Sequence, residues 1–184
     1  MTRIETAAAA SPGTAVAADE ALCRLWYEAH GSAVYNYFRF LVRSPDDAEE
    51  LTAETFLRVV RHASRYDESK ASARTWILRI AQNMMRDQWR TERRRKHVSV
   101  DSLRDLAIDA PSSEERLVRE EQVAQLLEGI SELPEADQEL ISLRYSGGLD
   151  HREIASLLGI REAAVRTRLW RALARLREVV SDES

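Results

Sequence analysis

Residues 161–177, REAAVRTRLWRALARLR, set Arg161, Arg166, Arg168, Arg171, Arg175 and Arg177 against one acid, Glu162. A guanidinium is a planar fork of donors. It suits bidentate contact with phosphate, or with O6 and N7 of guanine in the major groove. A basic helix by itself is equally the solvated face of a bundle, so the residues before it matter. In HREIASLLGIREAAV the apolar set is Ile154, Leu157, Leu158, Ile160, Val165 and, one turn later, Leu169. Ala155 is small enough to let a second helix cross closely. Gly159 can take the left-handed conformation of a tight inter-helix turn. Together these are the pattern of a helix-turn-helix with an arginine-bearing second helix, which points to DNA.

A second group lies in residues 74–97, with eight basic and two acidic side chains among Trp76, Asn83 and Trp89. On its own, Trp76 reads as a core tryptophan. Other chemistries find no support. Cys23 is the only cysteine, and the histidines at 30, 62, 97 and 151 lack metal-ligand spacing. There is no nucleophile-base pair and no phosphate loop, so neither catalytic residue, metal nor cofactor is expected, and the chain reads as a non-enzyme.

The elements that carry these groups are helical throughout. Asp19–Val42 has Leu22, Leu25, Trp26, Ala29, Ala33, Tyr37 and Leu41 at three- and four-residue steps. A helix from about Pro45 to His62 begins with Ser44 as N-cap, Pro45 at its first position and acids in its first turn. A loop over 64–73 precedes a third helix, about Ala73–Lys96. Helices are expected at about 114–131, 134–146, 150–158 and 161–180. No period-two pattern survives. The fold class is all-α: two small helical domains, 19–98 and 114–184, joined by a flexible acidic linker at 99–113, after a disordered tail at 1–18. The formal net charge of −4 is strongly partitioned. Residues 101–121 hold seven acids against three bases, whereas the bases gather on the two helices described above. Only Lys70 and Lys96 of the 27 basic residues are lysine, a bias that GC-rich coding would also produce. No run is apolar enough to cross a membrane and no secretory signal is expected, so the default location is cytoplasmic, without membrane insertion.

Three segments, in order, resemble one family. DAEELTAETFLRVV is similar to region two of bacterial sigma factors of the extracytoplasmic-function group, ARTWILRIAQNMMRDQWRTERRR to the segment after it, and LPEADQELISLRYSGGLDHREIASLLGIREAAVRTRLWRALARLR to region four. The likeness spans about residues 20–179 with a linker where that group has no intervening domain. It implies a subunit that binds core RNA polymerase and directs initiation at particular promoters. Residues Asp47, Glu50, Leu51, Glu54 and Phe56 then fall in the segment docked on the β′ clamp helices, with Ala53 replacing a usual glutamine. Trp76, Asn83, Arg86, Asp87, Trp89 and Arg90 fall in the segment that reads and melts the minus-ten element, and the loop 64–73 would receive a flipped base. His151, Arg152, Arg166, Thr167, Arg168 and Arg171 correspond to positions at the minus-thirty-five element. Ala163 and Ala164 stand where the family often has Gly-Thr. The implied partners are core polymerase, through clamp helices and β flap, promoter DNA and an anti-sigma factor.

Two other readings explain parts of the chain. A free-standing helix-turn-helix regulator accounts for 130–180 but leaves the helix at 74–96 without a task. A helical adaptor that binds only proteins predicts no salt-dependent affinity for DNA.

Overall fold

The computed structural model describes residues 12–42, 44–96 and 114–182. Among them there are only helices: α1 (Pro12–Arg39), α2 (Pro45–His62), a single 3-10 turn at Ala63–Arg65, α3 (Ala73–Lys96), α4 (Glu114–Ser131), α5 (Glu135–Tyr145), α6 (His151–Leu158) and α7 (Glu162–Asp182). The expected tail at 1–18 meets a correction, because α1 starts at Pro12. Pro12 supplies the fixed φ of a first helical turn, and alanine is the best helix former, so the stretch after it favours helix without any apolar period. Residues 1–11 and the expected linker at 99–113 lie outside the described residues.

In the first half, α1, α2 and α3 pack against one another. Ser44 caps α2 by accepting from the Asp47 amide at 3.4 Å, with Asp46 and Asp47 in the first turn where the helix dipole favours acids. Ala48, Thr52, Thr55, Phe56 and Val59 form its buried stripe. Thr52 and Thr55 satisfy their hydroxyls on the carbonyls one turn back, and the Thr55 hydroxyl also meets the Met84 sulfur of α3 at 3.4 Å. Along α1 the buried stripe is Cys23, Trp26, Val34, Tyr37 and Phe38, while Leu25 is 61% exposed and Leu22 also faces solvent. The expected periodicity shared Trp26 and Tyr37 with this stripe but chose the wrong neighbours. A leucine-first reading discounted Cys23, which is buried more often than its polarity suggests. Trp26, Tyr66 and Trp76 close the end of this half as an aromatic cluster, with centroids 5.0–5.6 Å apart.

In the second half, α4, α5 and α6 each pack on α7. The buried amide of Gln138 donates to the carbonyls of Ser131 and Leu133 at the end of α4, where helix carbonyls lack intrahelical donors. Buried residues from both halves belong to one continuous apolar cluster.

Candidate nucleic-acid interface

The short helix α6 has unusually complete ends. The Asp150 carboxylate accepts from the Glu153 amide at 2.7 Å, and the Glu153 carboxylate accepts from the Asp150 amide at 2.9 Å, a reciprocal capping box. At the other end Gly159 sits at φ 67°, ψ 32°, and the amides of Gly159 and Ile160 both donate to the Ala155 carbonyl. Two bonded ends fix eight residues that would be marginal alone. Ile154, Ala155 and Leu157 are then buried, as are Val165, Leu169, Ala172 and Leu176 of α7, which packs on α6. The expected apolar set is thus inside or partly inside, and the helix-turn-helix is formed.

With that stripe inward, Arg166, Thr167, Arg168 and Arg171 are exposed. Arg166 is held by Glu162 one turn earlier at 2.6 Å, and the Thr167 hydroxyl returns to the Ala163 carbonyl at 3.1 Å. Arg168 and Arg171 line one cleft with Arg175, which pairs with Asp137 of α5. Arg166 is not part of that cleft, so the arginines divide between two sides of the helix. His151 opens α6, half-buried, and Arg152 beside it is exposed. Sequence reasoning missed Trp170. At 72% exposure it lies one turn from Arg166 and Thr167, an aromatic plane amid hydrogen-bonding groups. Its position off the Val165–Leu169–Ala172 stripe was the available signal.

Helix α3 sorts its expected residues sharply. Asn83, Asp87 and Arg90 face solvent, the last two paired at 3.2 Å. Trp76 is half-buried in the aromatic cluster. Trp89 is corrected to a core residue, 8% exposed, so its ring does not offer a stacking face. Its spacing from Met85 and Ile77 puts it on the apolar stripe that packs inward. Arg86 is exposed too, but it is held by a partner across the two halves. Its Nε and a terminal nitrogen donate to both carboxylate oxygens of Glu139 on α5, at 2.9 and 3.0 Å, and these bonds hold its pKa above the ordinary arginine value. In the loop before α3, Asp67 accepts from the Ser69 amide and hydroxyl and pairs with Lys70, which lowers its pKa to about 2.

On α2, Glu50 is exposed and Glu54 half-exposed, the latter bonded to Arg58 at 2.9 Å. Asp47 lies in the capped first turn and Leu51 is half-buried against the core. Phe56 is corrected to a core residue: it is 7% exposed and meets Tyr27 edge-on at 4.9 Å. Leu57 and Val60, which sequence reasoning passed over, are exposed on the face that Glu50, Ala53 and Glu54 begin. No group of three or more potential metal ligands occurs among the described residues, and no helix there is long and apolar enough to cross a membrane.

Comparison with known proteins agrees with this geometry. Residues 26–95 match the Sigma-70 region 2 family and residues 124–176 match Sigma-70, region 4. The chain is 30% identical over 162 residues to the ECF RNA polymerase sigma factor SigM of Bacillus subtilis, covering 85% of this chain and 96% of that protein. It is 29% identical over 158 residues to the ECF RNA polymerase sigma factor BldN of Streptomyces coelicolor, covering 86% of this chain but only 60% of that longer protein. In fold it is similar to the sigma factor RpoE of Bartonella quintana, solved with the anti-sigma factor NepR, with a TM-score of 0.68 at 18% identity over 86% of this chain and 96% of that one. With both sigma regions matched in order on two helical halves, the chain belongs to the ECF family of RNA polymerase sigma factors.

Proposed function

We propose that this sigma factor divides promoter recognition between its halves, with domains at 19–98 and 114–184. The exposed face of α2, with Glu50 and Glu54, docks on the β′ clamp helices of core polymerase. The exposed groups of α3, Asn83, Asp87 and Arg90, together with Arg86, engage the minus-ten element. In α7, Arg166, Thr167, Arg168 and Arg171 engage the minus-thirty-five element, with His151 and Arg152 near its backbone, while this half also meets the β flap. An anti-sigma factor of the kind seen with the Bartonella relative covers the polymerase-facing surfaces. The work is cytoplasmic, and the chain supplies binding and specificity while catalysis stays with the polymerase.

The observation that carries this reading is the doubly capped α6 beneath an arginine-bearing α7. A free-standing regulator would not need the acidic α2 face. The test is transcription in vitro with core polymerase, with start sites mapped across a genome. Wild-type chain should yield discrete start sites that core alone does not. Reversing Glu50 and Glu54 to Lys should abolish co-purification with core, because complementary charges become like charges. Specific DNA binding without any requirement for polymerase would instead favour the regulator.

A further inference from the structure

Arg86 of α3 joins Arg168, Arg171 and Arg175 of α7 in lining one cleft, about 490 Å³ in volume. Two acids of α5 share it, and both are already engaged, Asp137 by Arg175 and Glu139 by Arg86. Arg168 and Arg171 have no acidic partner among the described residues, so their positive charges stand uncompensated in the cleft. Arg168, Arg171 and Arg175 also follow one another at three- and four-residue steps, where like charges on a helix destabilise each other. Arg86 spends Nε and one terminal nitrogen on Glu139, which leaves its other terminal nitrogen to donate elsewhere. Arg175 gives Asp137 only one of its terminal nitrogens.

A surface that reads duplex DNA through a helix is convex, because the helix enters a groove. This is a concavity in the size range of small-ligand sites. Leu140, Leu158 and Ile160 supply an apolar wall beside the cations. Such a wall lowers the local dielectric and strengthens each charge contact beside it. A cleft dominated by one sign of charge also concentrates the opposite ion. Guanidinium forks match the paired oxygens of a phosphoryl group, and several forks in one cleft match several linked groups.

We propose that this cleft binds a compact oligophosphate, a molecule with two or more linked phosphoryl groups, through Arg168 and Arg171 and the spare donors of Arg86 and Arg175. An inorganic chain and a nucleoside polyphosphate share that chemistry. In the second, the nucleoside rests on Leu158 and Ile160. A bound oligophosphate occupies arginines assigned above to the minus-thirty-five element, and so competes with upstream DNA. That consequence rests on the proposed function, but the site does not.

The test is equilibrium dialysis of the full chain against inorganic tripolyphosphate, ATP or orthophosphate, in magnesium-free buffer at about 0.15 M salt, where long-range attraction is screened. Tripolyphosphate should bind at least roughly ten-fold more tightly than orthophosphate, and Arg168→Ala and Arg171→Ala should each weaken it about ten-fold. Arg161→Ala and Arg177→Ala remove the same charge from exposed positions outside the cleft, and should change it less than about two-fold. Tighter binding of ATP than of tripolyphosphate assigns the nucleoside to the apolar wall; equal or weaker binding assigns the inorganic chain. No binding at about 1 mM tripolyphosphate, equal affinity for orthophosphate, or equal losses in all four variants overturns the site, the last being the mark of general attraction to a basic helix. A failure to find start sites would overturn the sigma reading and leave this measurement untouched.

Discussion

Replacing Gly159 separates backbone strain from steric crowding. Its φ of 67° is left-handed, yet a Cβ there would have no atom within 4 Å. Gly159→Ala therefore carries only the conformational penalty of a Cβ in the left-handed region, roughly 1–2 kcal/mol. The variant's unfolded chain loses freedom relative to glycine, which returns about 0.4–1 kcal/mol. The net cost is about 1 kcal/mol. For a urea dependence of about 2 kcal/mol per molar, the midpoint should fall by about 0.5 M with unchanged slope. Gly159→Asn should cost less, because asparagine visits this region more readily. Gly147→Ala should cost more than Gly159→Ala although its φ is not positive, because its Cβ would lie 2.8 Å from the Leu143 carbonyl oxygen and 3.0 Å from Leu78. The assay is urea unfolding of the full chain followed by circular dichroism. A loss at Gly159→Ala above about 3 kcal/mol, or the two glycines ranking the other way, refutes the assignment of strain to one turn and crowding to the other.

Two further outcomes follow from the same geometry. Burial, reinforced by the nearby Arg74 charge, lowers the pKa of His30 below 6.5, so the unfolded chain takes up the proton first; this stabilisation is present above pH 6.5 and is lost as pH falls through the folded value. Urea midpoints measured at about pH 7.5 and about pH 5 should fall more for wild type than for His30→Gln, and equal falls would dismiss His30 as a source of acid sensitivity. Once upstream elements are mapped, Arg171→Ala should weaken matched and scrambled duplexes alike and flatten the salt dependence by about one unit. Arg166→Ala should lose about 1–3 kcal/mol on the matched element only; equal losses on both would make Arg166 a phosphate contact.

The local features were legible because each is written in neighbouring residues. Ser44-Pro45-Asp46-Asp47 specified a helix start, and Leu158-Gly159-Ile160 a turn. The spacing of Ile154, Leu157, Val165 and Leu169 fixed which arginines of α7 face outward. The capping box of Asp150 and Glu153 went unread, although an acid three residues after a capping side chain is its signature. Periodicity was weaker where two stripes overlap, as along α1, because the hydrophobic step of a helix says how often a face recurs and leaves open which of two adjacent faces meets a partner. Trp89 and Phe56 show the same limit from the other side. Their types suit both a base or protein contact and a core, and only the packing of α1, α2 and α3 chose the core. The sequence likewise contained both partners of the contact between α3 and α5 without announcing it. Arg86 and Glu139 stand 53 positions apart, with no period linking them. An acid in the apolar run of α5 hints at a buried partner, but which arginine of so many it meets is a matter of how two helical halves dock. That choice is made by long-range packing, where burying a carboxylate is favourable only at the one place a guanidinium can reach both of its oxygens.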